Sequence, residues 1–256
     1  MLKYLKYYFS TLLIISAIYI PATGVNYPTY YFIGFSLLII LGDYFLGEDV
    51  SQPEYSYPWL IELPLHLALP IITAMLLSFA WASGSMGEDF LGIGVLLSGF
   101  FSYDFLAARD GNIWSDYIGG ILGVGFMVAG YGTNVAHELT HRIKDRFAML
   151  EGRWLLSASC NADFSIEHVY GHHVTVGTNE DPATARKGEN IYTFAIRSTV
   201  FGHISAWKLE LQRLRKKDYG FISLRNRMIT GYLMSLVWCA LFYCHISADR
   251  LHFRAF

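Results

Sequence analysis

Cysteine is scarce in this chain. Cys160, Cys239 and Cys244 make an odd number, with no Cys-x-x-Cys pair among them. That pattern argues against a disulfide framework and leaves small buried hydrophobes as the reading. Other absences narrow the field further. The glycine-rich run Gly119–Gly132 is not followed by Lys-Ser or Lys-Thr, so it is no phosphate loop. Basic residues are interleaved with acids, and the run Arg213–Lys217 is short, so nucleic acid is not an expected partner. There is no internal repeat, no low-complexity segment, and no motif for flavin, haem or ferredoxin-type iron–sulfur binding. The N-terminal Ala-x-Ala-like pattern is too weak to read as a cleavable signal.

What is abundant is apolar sequence, at 54% of 256 residues. It is blocked rather than scattered. Tyr7–Thr23, Tyr30–Leu46, Leu63–Ala82 and Tyr117–Ala136 each have about the length a helix needs to cross roughly 30 Å of hydrocarbon. Met228–Ile246 is a fifth such block. Phe90–Ala107 is weaker, with a short clean stretch before Asp104, and reads as interfacial or re-entrant. The glycines of Gly119–Gly132 would let neighbouring helices approach closely. Fourteen of the nineteen Lys and Arg residues lie between Arg142 and Arg227. By the positive-inside tendency, segment 137–227 faces the cytoplasm. Four spans before it, with Lys3 and Lys6 marking a cytoplasmic N-terminus, satisfy the parity this requires. The expected architecture is an all-α integral membrane helical bundle with a cytoplasmic histidine-lined cap, in membrane lipid.

Nine histidines are present, and five fall into two boxes. The first, HELTH, holds His137 and His141 with Glu138. On a helix continuing from the preceding span, a spacing of four puts the two imidazoles on one face, about 40° apart. The second, EHVYGHH, holds His168, His172 and His173 with Glu167. If helical, it places His168 and His172 on one face and turns His173 about 100° further round. Neutral imidazole ligates iron, zinc and copper. Desolvating five imidazoles near a membrane is unfavourable without a partner such as a metal. His66, His203, His245 and His252 stand alone and read as satisfied core residues. HELTH also matches the zinc-protease pattern His-Glu-x-x-His, with Glu138 as base. One catalytic zinc takes only three protein ligands, so the second box would go unused. Two irons would want more ligands than five imidazoles supply.

HELTHR (137–142) followed by IEHVYGHHVTVGTNEDPATARKGEN (166–190) resembles the integral-membrane alkane 1-monooxygenases, relatives of the membrane fatty-acid desaturases and hydroxylases. FLGEDVSQPE (45–54) and YTFAIRSTVFGHISAWKLELQRLRK (192–216) extend the resemblance over roughly residues 40–245. The resemblance implies a non-haem site of two irons, with O2 as co-substrate, that hydroxylates terminal C–H bonds of alkanes or related apolar chains. It further implies electrons from a rubredoxin-type donor, for which Lys208–Arg227 offers a basic docking face, and a bacterial inner membrane location. His137, His141, His168, His172 and His173 would be the metal ligands. Glu138, Asp181, Glu167 and Asp163 would be the carboxylates that fix imidazole tautomers. Asn134, one turn before the first box, could line the site or merely pack.

The family pattern also includes a third box, His-x-x-His-His, beyond a further pair of spans. Here the block Met228–Ile246 is followed by SADRLHFRAF. The expectation is therefore a single desaturase/hydroxylase-like domain, 1–256, that is C-terminally incomplete or completed by a second chain. A membrane-embedded zinc protease and a non-catalytic protein with a partial metal site are the alternatives.

Overall fold

The computed structural model describes residues 2–48, 50, 53–84, 89 and 92–243. His245, His252, Cys244 and the ends of the blocks Phe90–Ala107 and Met228–Ile246 lie outside the described residues, as does part of FLGEDVSQPE. Among the described residues every regular element is helical. The chain divides into two compact units, Met1–Gly132 with Ala240–Phe256, and Thr133–Cys239.

The first unit is built from α1 (Leu2–Ser16), α2 (Tyr27–Leu46), α3 (Trp59–Ala82), the short α4 (Ile93–Phe101) and α5 (Phe105–Asp110), and α6 (Trp114–Met127). Four helical runs are long and apolar enough to cross a membrane: Lys3–Ala22, Tyr27–Leu46, Trp59–Ala82 and Trp114–His141. Their outward side chains are apolar too. On α2 the consecutive residues Leu37, Leu38, Ile39, Ile40 and Leu41 are all exposed. A surface like that is stable only against lipid, and the protein is an integral membrane protein. By contrast α4 has nine residues, a rise of about 13 Å, well short of the hydrocarbon thickness.

The glycines of α6 do what their size allows. At Gly119 a Cβ would collide with the backbone N and Cα of Thr29, so α2 and α6 meet backbone to backbone. Thr29 Oγ1 donates to the carbonyl of Ser115 across this seam. The buried Asp116 fixes the end of it: one carboxylate oxygen accepts from Asn26 N (2.6 Å), the other from Ile113 N (2.9 Å).

The second unit comprises α7 (Thr133–His141), α8 (Arg146–Ala158), α9 (Phe164–Glu167), α10 (His173–Thr175), α11 (Ile191–Lys216) and the part of α12 (Arg227–Tyr243) up to Cys239. Side-chain caps set where helices begin. Asp145 accepts from Phe147 N and Ala148 N, and Asn190 accepts from Tyr192 N and Thr193 N. Glu210 on α11 is fully buried and holds the α11–α12 connection together. It accepts from Arg213 (2.6 and 2.8 Å) and from the backbone and side chain of Arg227 (2.6 and 2.9 Å). Burial alone would raise this carboxyl, but the Arg213 and Arg227 hydrogen bonds outweigh it and hold it below the ordinary carboxylate value.

The cysteine reading needs correction. Cys160 and Cys239 are both exposed. Cys160 sits in a left-handed turn (φ 56°) just past the end of α8, where the chain reverses at the surface. Cys239 lies on α12 beside the exposed Leu236 and Val237, on a face that the helices around it do not cover.

Gly119→Ala should destabilise the protein by roughly 1–3 kcal/mol through overpacking. Gly34→Ala, at a position on α2 with nothing within 4 Å of the added Cβ, should be nearly neutral. Unfolding midpoints in detergent check both. Because the folded Glu210 carboxyl lies below its unfolded value, its contribution is complete above the ordinary carboxylate range and is lost as pH falls through the folded pKa. Glu210→Gln should therefore cost roughly 3–5 kcal/mol near neutral pH and less in acid. Equal losses at both pH values would refute the ion-pair account.

Candidate metal centre

The first histidine box lies on α7, immediately after a π-helical turn at Val128–Gly132. On this helix the four-residue spacing works as expected. His137 and His141 bring their Nε2 atoms to 3.2 Å, with ring centroids 4.6 Å apart.

The second box departs from the simple helical reading, and the departure makes the site. His168–His172 is a π-helical turn between α9 and α10. The His173 N–H reaches back five residues to the carbonyl of His168. Wider winding carries each residue through a smaller angle, so His173 comes round onto the face of His168 and not away from it. His173 Nε2 lies 3.1 Å from His168 Nε2, and His168 Nε2 lies 3.2 Å from His141 Nε2. Four imidazoles from two helices thus meet nitrogen to nitrogen.

Gly171 makes room for this turn. A Cβ there would stand 2.6 Å from Oε1 of Glu167. Glu167 is buried beneath the turn, and burial raises its carboxyl above the ordinary value.

His172 is held from behind. Its Nδ1 bonds to Oδ2 of Asp181 at 2.8 Å. Asp181 is itself buried, and accepts from Ala183 N (2.9 Å) and Thr184 Oγ1. Burial pulls its carboxyl upward, but the bonds from Thr184, Ala183 and His172 win and keep it below the ordinary value. An ionised Asp181 accepts a hydrogen bond from His172 Nδ1–H and leaves Nε2 as the bare nitrogen, with its lone pair available to a metal. The loop carrying Asp181 is pinned in turn by Arg197. Its guanidinium donates to Pro182 O and Thr184 O (3.0 Å each) and forks onto Glu189 at 2.6 and 2.7 Å.

The donor set fits a metal ion. Nε2 atoms 3.1–3.2 Å apart are spaced like neighbouring ligands on one ion with metal–nitrogen lengths of roughly 2.0–2.1 Å. His137, His141 and His168 present ligand atoms that all lie within 4.8 Å of one another. Burial, reinforced by the neighbouring imidazoles, lowers the His168 pKa to about 4. The ring is therefore neutral at physiological pH, with a lone pair to give, and protons are poor competitors for the space between the rings.

Glu138 is exposed and pairs with Arg142 at 3.5 Å. Asp163 turns to His203, with Oδ2 3.1 Å from Nδ1. His203 is satisfied, as its isolation implied, but its side chain is 41% exposed and not in a core. Asn134 is exposed. Sequence reasoning missed Phe164, whose ring lies flat on His168 at 4.5 Å and 9°. It also passed over Thr184, Gly171 and Arg197. Thr184 and Gly171 lay within motifs already singled out; Arg197 carried no local signal.

The family model for fatty acid desaturase matches residues 112–252, across both boxes. Alkane 1-monooxygenase 1 of Pseudomonas aeruginosa is 33% identical over 215 residues, 80% of this chain and 51% of that protein. Alkane 1-monooxygenase 1 of Alcanivorax borkumensis is 33% identical over 206 residues, 78% and 45% of the two chains. Alkane 1-monooxygenase of Acinetobacter baylyi is 38% identical over 133 residues, 51% and 32%. The chain spans about half the length, or less, of these relatives. A lipid-facing helical frame and two histidine boxes closing nitrogen to nitrogen agree with what the matches give: this chain belongs to the fatty acid desaturase family, and its similar relatives are alkane 1-monooxygenases.

Proposed function

We propose that this chain carries the histidine core of a non-haem di-iron membrane monooxygenase, which hydroxylates terminal C–H bonds of alkanes or related apolar chains with O2 and external electrons. The observation that carries this reading is the convergence of His137, His141, His168 and His173 through Nε2, with His172 oriented by Asp181. These five imidazoles would hold the metal. Iron, when bound, supplies the oxygen activation that carbon–hydrogen cleavage requires.

The protein's own residues do the rest. Asp181, backed by Thr184 and Arg197, fixes the His172 tautomer. Phe164 covers one face of His168 and keeps water from that ring. The apolar helices give an alkane a path from the bilayer that avoids transfer through water. Overall the reaction joins one alkane, O2, two electrons and two protons into alcohol and water. A rubredoxin-type protein is the proposed donor. The concentration of Lys and Arg in 142–227 supports placing the boxes on the cytoplasmic side of a bacterial inner membrane.

A zinc-protease reading would need Glu138 beside the metal and would leave the second box idle. Glu138 pairs instead with Arg142, and the second box closes on the first, which favours the oxygenase.

The test is metal content by elemental analysis after purification in detergent, with any companion chain retained. Iron close to two per assembled complex is expected. His137→Ala and His172→Ala should each abolish iron retention, and Asp181→Asn should weaken metal affinity by about 10–100-fold. Normal iron in either histidine variant would contradict the ligand assignment, and bound zinc with Glu138-dependent proteolysis would replace the reading outright.

A further inference from the structure

Cys160 and Cys239 are far apart in the sequence, and the second unit brings them together. Its part of α12 runs along the end of α8 and the turn beyond it. A Cβ at Gly231 would stand 2.8 Å from the Cβ of Ala162. One turn further on, Ser235 Oγ donates to the carbonyl of Ser157 at 3.0 Å. The indole N–H of Trp238 donates to Ser157 Oγ, also at 3.0 Å. Cys239 follows Ser235 by four residues and shares its face of α12. The Cys160 thiol has the Ser235 hydroxyl and the Cys239 thiol as its hydrogen-bond neighbours. Both cysteines are free and exposed.

The backbone at Cys160 is a second, separate observation. α8 ends in a Schellman motif: the N–H of Cys160 donates to Ser157 O and that of Asn161 to Leu156 O, at 3.0 Å each. Cys160, at φ 56°, occupies the left-handed position that this motif ordinarily gives to glycine. A Cβ there carries a conformational cost. Burial of the side chain does not offset that cost, because the residue is exposed. What the Cβ does is aim a thiol at α12.

We propose that Cys160 and Cys239 form a reversible oxidation site, a dithiol at rest that a peroxide closes to a disulfide. One sulfur takes an oxygen from the peroxide and becomes a sulfenic acid, releasing water. The other thiol displaces that oxygen as a second water and forms the S–S bond. Two thiols and one hydrogen peroxide thus give one disulfide and two waters, the two electrons passing from sulfur to the O–O bond. A reducing dithiol reverses the change. At rest, burial and then the neighbouring Cys239 thiol push the Cys160 thiol above its ordinary value and keep it protonated. The bond would tie the turn that leads into α9, and so into the second histidine box, to α12. Peroxide is also what an O2-reducing centre releases when electrons arrive and no C–H bond is cleaved. The chemistry of the pair does not depend on that reading.

The experiment uses the full chain in nanodiscs, reduced, freed of reductant and treated with equimolar hydrogen peroxide. Digestion without reduction should give two peptides joined through Cys160 and Cys239 within one copy of the chain. The oxidised protein should unfold roughly 5 °C or more above the reduced one, and dithiothreitol should return it. Cys160→Ser and Cys239→Ser should each abolish the joined peptides, and Cys244→Ser should leave them. Cys160→Gly should also abolish them, yet raise the unfolding midpoint of the reduced chain, because glycine removes the left-handed cost along with the thiol. A midpoint lowered by Cys160→Gly would overturn the argument from the backbone. Sulfinic or sulfonic acid at either residue without joined peptides, peptides joined through Cys244, or links between copies would overturn the pairing. Joined peptides with an unchanged midpoint would overturn the tie between the turn and α12. None of these readouts needs iron, so the site fails or stands separately from the oxygenase reading.

Discussion

The hydrogen bond from the His173 N–H to the His168 carbonyl governs the rest of the site. It closes a five-residue turn where an α-helix would close four. That one change in winding sets His173 beside His168 and so lets two helices offer four nitrogens to one small volume. A π turn gives up regular helical hydrogen bonding, and such turns occur mostly at functional sites. Here the surroundings hold it in place. Gly171 leaves space for the Glu167 carboxyl, and Glu167 fills the volume beneath the turn.

The same logic of support extends outward. Imidazoles packed nitrogen to nitrogen are unfavourable as cations and indifferent as neutral rings unless their tautomers are assigned. Asp181 assigns His172, and Thr184 and Ala183 assign Asp181. Arg197 then ties the loop to α11 through two carbonyls and a carboxylate. Glu210 does comparable work for the other end of α11, where one buried carboxylate organises two arginines and the start of α12.

The two units are built from different physics. In the first, lipid removes the hydrophobic reason for helices to associate, so close approach depends on small residues, as at Gly119 against Thr29, and on polar pins such as Asp116. In the second, helices are capped by Asp145 and Asn190 and joined by charged hydrogen bonds.

The sequence by itself determined the helical class, the four crossing runs and the five histidines, because each rests on a local signal: apolar length, small residues at a seam, or imidazoles at fixed spacing. It also pointed to Asp181 through the motif that contains it. Only the tertiary structure decided which imidazoles meet. The four-residue rule that succeeded on HELTH failed at His173, since nothing in EHVYGHH announces a π turn. Likewise the sequence did not announce that Glu138 pairs with Arg142 or that Asp163 bonds to His203. Cys160 and Cys239, read as core, lie at the surface because a left-handed turn and an uncovered helix face put them there. Spacing along a chain fixes the angle of a side chain about its own axis. Which partner stands opposite depends on where a distant helix is pinned, and those pins, Arg197 on its loop and Gly171 over Glu167, are single residues whose meaning exists only once the chain is folded.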